Sequence, residues 1–138
     1  MSTYTIEQLR EEGPSFAMAL LLRAIKTGEP FVTYGTIANE LEYQLNIPKI
    51  FPVPIGHVAG TLMNKILEID PDAPLINTMI TRSSGIPGVG VGGYLANRYN
   101  NRKLLKWDTI SLKMQKDIIE REREKIFIYP DWEIINEK

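Results

Sequence analysis

Val32-Thr33-Tyr34-Gly35-Thr36-Ile37-Ala38-Asn39-Glu40-Leu41 is the stretch on which the fold turns. Thr33 carries the hydroxyl of a helix N-cap, and Ile37, Ala38 and Leu41 recur at helical spacing behind it, so a short amphipathic helix begins at Tyr34. Just upstream, Phe31-Val32 is too short to read as a strand. Downstream, Asn46 to Pro54 holds Pro48, Pro52 and Pro54 and predicts an irregular connection. A second helix is expected from about Ile55 to Ile69, with Val58, Leu62, Met63, Ile66 and Leu67 turned inward. Leu75 to Thr81 is rich in β-branched and apolar side chains and predicts a strand. Ser83 to Gly90 then predicts a glycine-rich turn or wing, and Gly92-Gly93-Tyr94-Leu95 either a return strand or a helix start. This order is that of a winged helix-turn-helix, which lays its second helix in the major groove of DNA and its wing along the backbone.

On the N-terminal side, Thr5-Ile6-Glu7-Gln8 has capping-box spacing and opens a short helix that should stop at Gly13-Pro14. Ser15 would cap a second helix running to about Thr27, apolar around most of its circumference and therefore a core helix. Gly28-Glu29-Pro30 terminates it. On the C-terminal side, a polar, basic stretch from Asn97 to Lys106 leads to a helix from Asp108 or Ser111 to about Lys125, with Ile110, Met114, Ile118 and Ile119 as its apolar stripe. Phe127-Ile128-Tyr129 and Trp132 close the chain as a short strand or anchored tail. The expected architecture is one domain over residues 1–138, mainly α with a small β wing and winged helix-turn-helix-like. The helix-turn-helix and wing occupy about 32–95, and a C-terminal helix plus short tail about 108–138.

Composition narrows the chemistry. With 43% hydrophobic and 24% charged residues, the chain can bury a core. It has no cysteine, hence no disulfide, thiol nucleophile or thiolate metal site, and a single histidine excludes a multi-histidine metal site. No cofactor or metal is expected. No apolar run approaches the ~20 residues of a membrane span. Phe16 to Leu22, the longest, follows Glu11, Glu12 and Pro14 and does not suit a signal peptide, so a cytoplasmic protein is expected.

The net charge of −1 conceals a segregation. Met1 to Glu42 holds six acids against three bases, and Asp108 to Lys138 eight against six. Between them, Tyr43 to Trp107 holds three acids against seven bases, and no acid lies between Ala73 and Trp107. A basic middle between acidic ends suits a polyanion on one face. The DNA-contacting set expected from this is Tyr34, His57, Thr61, Asn64 and Lys65 on and before the second helix, Arg82, Gly88 and Gly90 at the wing, and Arg98, Arg102, Lys103 and Lys106 beyond it. Lysine and arginine would hold phosphates, while the second helix would carry any base reading.

No catalytic set emerges. Gly88-Val89-Gly90-Val91-Gly92-Gly93 satisfies G-x-G-x-x-G, but Ser83 to Pro87 separate it from the expected strand and no βαβ unit surrounds it, so a turn is the better reading. His57 lies in the first turn of its expected helix, where a surface or cap histidine is the ordinary case. The expected function is non-catalytic DNA binding. The alternatives are a protein-interaction module, such as a small phage or mobile-element regulator that packs on a partner or a second copy, and an enzyme using His57 with the glycine loop on a phosphorylated small molecule.

The residues also carry a resemblance. Val32-Thr33-Tyr34-Gly35-Thr36-Ile37-Ala38 resembles the V-x-Y-G-x-[IVL]-A stretch of O6-alkylguanine-DNA alkyltransferases and alkyltransferase-like proteins. His57-Val58-Ala59-Gly60 is similar to that family's R-A-V-G, Pro74 to Gly85 loosely to its P-C-H-R-V-[VI]-x-x-x-G, and Gly93-Tyr94-Leu95 to the G-G-Y and leucine that follow. The resemblance spans about Val32 to Leu95 and implies a winged-helix fold that binds duplex DNA. The family's acceptor cysteine is missing, so alkyl transfer is ruled out, and His57 stands where the family has its arginine finger.

Overall fold

The computed structural model describes residues 4–136. The chain is mainly helical. Helix α1 (Ile6–Thr27) is followed by a two-residue strand β1 (Val32–Thr33), then by helices α2 (Tyr34–Leu45) and α3 (Pro52–Ile69). A 3-10 segment, Ile76–Met79, runs into a second two-residue strand β2 (Ile80–Thr81). After a turn and a 3-10 segment at Val89–Val91 come α4 (Gly92–Tyr99), a kinked 3-10 stretch (Arg102–Thr109), α5 (Leu112–Ile128) and α6 (Trp132–Asn136). None of these helices is long and apolar enough to cross a membrane.

The caps form where the side chains call for them. Thr5, Thr33 and Ser111 each accept a backbone N–H from the first turn of α1, α2 and α5. Gly28 ends α1 at φ 77°, and Asn46 and Asn100 take the same left-handed cap position behind α2 and α4.

Three expectations are corrected. The helices on either side of Gly13-Pro14 are one, because α1 runs through Pro14. The ring removes the N–H that would pair with the Arg10 carbonyl and crowds that carbonyl. Against that loss, Gly13 and Pro14 are buried at the α1–α3 crossing, where a Cβ on Gly13 would stand 3.0 Å from a Val58 methyl. Second, α3 begins one turn earlier than Ile55: Pro52 and Pro54 sit in its first turn, where the missing N–H groups would have no helical partner anyway. Third, Leu75 to Thr81 is no strand over most of its length. Its β-branched residues are buried between α3 and α5 as a 3-10 segment, and only Ile80 and Thr81 pair, in parallel, with Val32 and Thr33. Of the two readings left open for Gly92-Gly93-Tyr94-Leu95, the helix start holds: it opens α4, and the glycine segment has no return strand among the described residues. Its turn is instead closed by Arg82 N–H to Ile86 O (3.0 Å) and Gly85 N–H to Arg82 O (2.9 Å).

The core lies where α1 packs on α3 and α2, with Leu9, Leu21, Ile37, Leu41, Ile55 and Met63 fully enclosed. Helix α5 covers the 3-10 segment at Ile76–Met79, and its inward face holds Gln115, Ile118, Ile119, Glu122 and Ile126, leaving Met114 exposed. The tail is helical. Trp132 of α6 is buried, donates to Ile126 O at 2.9 Å and packs its ring on Tyr129, whereas Phe127 and Ile128 end α5 facing outward.

Candidate nucleic-acid interface and groove

The parallel pairing of β1 with β2 brings the start of α2 beside the end of the Ile76–Thr81 segment. Helix α3 and the Gly88–Val91 turn complete the lining. The result is a half-open groove of about 460 Å³. Tyr34, His57, Arg82, Gly88 and Gly90, five of the expected contact residues, line it together. The Tyr34 hydroxyl accepts the Gly88 N–H at 2.8 Å and fastens the turn to α2. Behind the turn, the buried Trp107 donates to Pro87 O at 3.0 Å, so the Arg102–Thr109 stretch is held against the same glycine segment. Close approach at that seam needs glycine: a Cβ on Gly92 would lie 2.7 Å from Leu104 O.

The charged residues divide. Arg102, Lys103 and Lys106 are exposed on the stretch beside the turn, and their side chains make no hydrogen bond or ion pair among the described residues. Arg82 faces the groove but also meets Asp108 at 3.4 Å, with both side chains about half exposed. Arg98 points elsewhere: its guanidinium donates to Ala73 O at 2.8 Å and Pro71 O at 3.4 Å and ties α4 to the loop after α3. Lys65 lies on a different side of α3, lining an apolar hollow shared with Met18 of α1 and Ile135 of α6.

On α3 itself, the His57 Nδ1 accepts from the Arg10 guanidinium at 2.8 Å. Thr61 is half-exposed. Asn64 is exposed, but its Oδ1 accepts the Tyr94 hydroxyl at 2.6 Å, so the amide is already engaged by α4. Tyr94 also lies within 3.1 Å of Gly60 O, and burial pushes its phenol pKa upward.

Compared with known proteins, the chain matches no family model, no curated protein and no solved structure. The groove's chemistry therefore rests on its own residues. Among the described residues, no cluster of three or more His, Asp or Glu side chains is arranged to hold a metal ion. His57 has no hydroxyl nucleophile among its hydrogen-bond partners. The lining offers hydrogen-bonding groups, a cation and apolar side chains.

Three residues at the groove escape the sequence-level set. Asp108 and Tyr94 engage Arg82 and Asn64 from distant positions, and nothing in their local sequence announces it. Asn77 is different. It lines the groove, is 3% exposed, and leaves its Oδ1 without a hydrogen-bond partner. Its signal was present in the sequence: a lone carboxamide in an otherwise apolar and β-branched run.

Proposed function

We propose that this is a non-catalytic DNA-binding protein of winged-helix type, gripping duplex DNA with the exposed face of α3 and the Gly88–Gly93 turn. The observation that carries the reading is the convergence of Tyr34, His57, Arg82, Gly88 and Gly90 on one groove, with the unpaired Arg102, Lys103 and Lys106 beside it. Of these, Arg82, Gly88, Gly90, Arg102, Lys103 and Lys106 fall within the acid-free stretch between Ala73 and Trp107. In this reading the lysines and arginines hold phosphates, and the glycines of the turn let the backbone approach the strand. The resemblance to alkyltransferase-like proteins supports the same role without alkyl transfer. A location in the cytoplasm accords with this reading.

The test is fluorescence anisotropy of a labelled duplex over a salt series. Affinity should fall linearly in log–log form, because phosphate contacts release counterions. Arg102→Glu combined with Lys106→Glu should abolish binding at low salt, whereas Lys65→Glu, on another side of α3, should weaken it far less. Absence of binding at low salt, or binding indifferent to salt, ends the proposal.

A protein-interaction role without nucleic acid is favoured by a different observation. Tyr43, Val53 and Ile128 are each more than three-quarters exposed (82%, 76% and 80%). Light scattering separates the two readings, since a stable dimer that ignores duplex DNA supports the second.

A further inference from the structure

Away from the groove, the structure holds a socket and a projecting side chain. Met18 of α1, Leu62, Ile66 and Ile69 of α3 and Ile135 of α6 line a half-open hollow of about 430 Å³, and the exposed Lys65 and Glu68 line it too. None of its lining residues belongs to the groove, so duplex binding can hold or fail independently of what the hollow takes. Ile128, the last residue of α5, is 80% exposed, and Phe127 beside it is exposed as well. The next residue, Tyr129, donates its hydroxyl to Asp70 at 2.6 Å, and Asp70 directly follows Ile69 of the hollow. Socket and projection are therefore neighbours in the same chain, as a self-complementary two-fold contact requires.

Charge and helix direction set the register. Lys65 and Glu68 stand three residues apart on α3, as Arg121 and Glu124 do on α5, about 4.5 Å along each axis. Arg121, Glu124 and Ile128, at i, i+3 and i+7, share one face of α5. Lys65, Glu68 and Glu124 are exposed and make no hydrogen bond or ion pair among the described residues. The two helices also run the same way. Their C-terminal ends meet at the Tyr129–Asp70 bond. At the other end, His57 of α3 lines the groove with Gly88, while Gln115 of α5 donates to Trp107 O at 2.9 Å and the Trp107 indole holds Pro87 O. A two-fold axis across two such helices sets each antiparallel to the other's copy. We propose that the protein associates as a two-fold homodimer in which α5 of each copy lies antiparallel along α3 of the other, with Ile128 seated in the hollow. Lys65 then meets the partner's Glu124, and Glu68 meets the partner's Arg121. Four residues beyond Glu124, the partner's Ile128 falls about one turn before Lys65, at the level of Leu62 in the hollow.

Sedimentation equilibrium of the full-length protein should show a reversible dimer that dissociates at about micromolar concentration. Ile128→Glu would put a carboxylate into the hollow and should weaken association by about tenfold or more. The melting temperature of the dilute protein should not fall, because this side chain is exposed in each single copy. Lys65→Glu and Glu124→Lys should each weaken association by about fivefold, and the double variant, which restores opposite charges, should recover it. Because the chain has no cysteine, Ser15→Cys and Ile128→Cys proteins, mixed and treated with a short bis-maleimide, should give the mixed cross-link from hollow to projection. A protein that stays monomeric, a dimer indifferent to Ile128→Glu, a double variant that fails to recover, or absence of the mixed cross-link overturns the proposal. Uptake of decanoate by a monomer, seen as a shift of the Met18 methyl resonance, also overturns it and assigns the hollow to a small amphiphile.

Discussion

Glu122 offers the sharpest test of how the C-terminal half is held. Its side chain is fully enclosed, yet it carries a carboxylate. Three donors meet it: the Tyr99 hydroxyl at Oε2, the Leu75 N–H at Oε1 (3.4 Å), and the Lys125 ammonium at Oε2 (3.2 Å). The Lys125 ammonium also sits 5.0 Å from the centre of the Tyr99 ring. One side chain thus joins α5 to α4 and to the residue just before the Ile76–Met79 segment. In Glu122→Ala, the Leu75 N–H and the Tyr99 hydroxyl lose their acceptor in the interior while Lys125, half exposed, turns to water. Each stranded buried donor costs about 1–3 kcal/mol, and a small void adds to it, giving roughly 3–5 kcal/mol. Glu122→Gln keeps the volume and an acceptor oxygen and loses only the charge-assisted part, about 1–2 kcal/mol. Against a total stability of about 5–15 kcal/mol for a domain of this kind, the alanine variant should be visibly marginal. Urea denaturation with constant m-values measures both, and a cycle with Tyr99→Phe isolates the pair. An alanine loss below ~1 kcal/mol, or equal losses for the two variants, would show that the carboxylate does not join these elements.

Other expectations follow from single contacts. Gly92→Ala should cost about 1–3 kcal/mol, because its Cβ would meet the Leu104 carbonyl at 2.7 Å. Gly93→Ala, with nothing within 4 Å, should be close to neutral, and thermal melts of the two variants compare them. Asp108→Asn frees Arg82 and should raise duplex affinity up to about fivefold, the worth of an exposed ion pair; an unchanged anisotropy curve would remove Arg82 from the contact set. Alkaline pH should destabilise the fold. Burial, then the hydrogen bond to Asp70, pushes the Tyr129 phenol up to about 12 from 10.0, and burial with the Glu122 contact moves Tyr99 in the same direction. Both are protonated in folded and unfolded chains below the ordinary value. Above it the unfolded chain ionises first, so their contribution is present below about pH 10 and is lost as pH rises toward 12. Denaturation midpoints measured across that window should fall, and Tyr129→Phe should flatten the slope.

The legible parts of the sequence were those governed by one residue and its near neighbours. Thr5, Thr33, Ser111 and Gly28 marked helix ends because capping is a local hydrogen-bond problem. Pro14 misleads because its lost bond is a local signal, whereas the packing of Gly13 against Val58 that offsets it comes from a distant helix. Leu75 to Thr81 misleads because β-branched composition reflects burial as much as strand geometry, and here the run is enclosed between helices. At the groove, charge counting locates the basic stretch but not the direction of each side chain. Arg98 faces the Pro71 and Ala73 carbonyls and Lys65 faces α1, and neither orientation is written in local spacing.

The two-residue parallel ladder between β1 and β2 also bears on how the chain folds. Val32 and Ile80 flank both α2 and α3, so pairing them closes a long loop before it returns any contact energy. The helices between them are local and can form first, whereas the ladder can register only after α2 and α3 have docked. The groove, whose walls meet at that ladder, is therefore among the last parts of the molecule to take shape. Substitutions at Ile80 should accelerate unfolding while leaving the folding rate nearly unchanged.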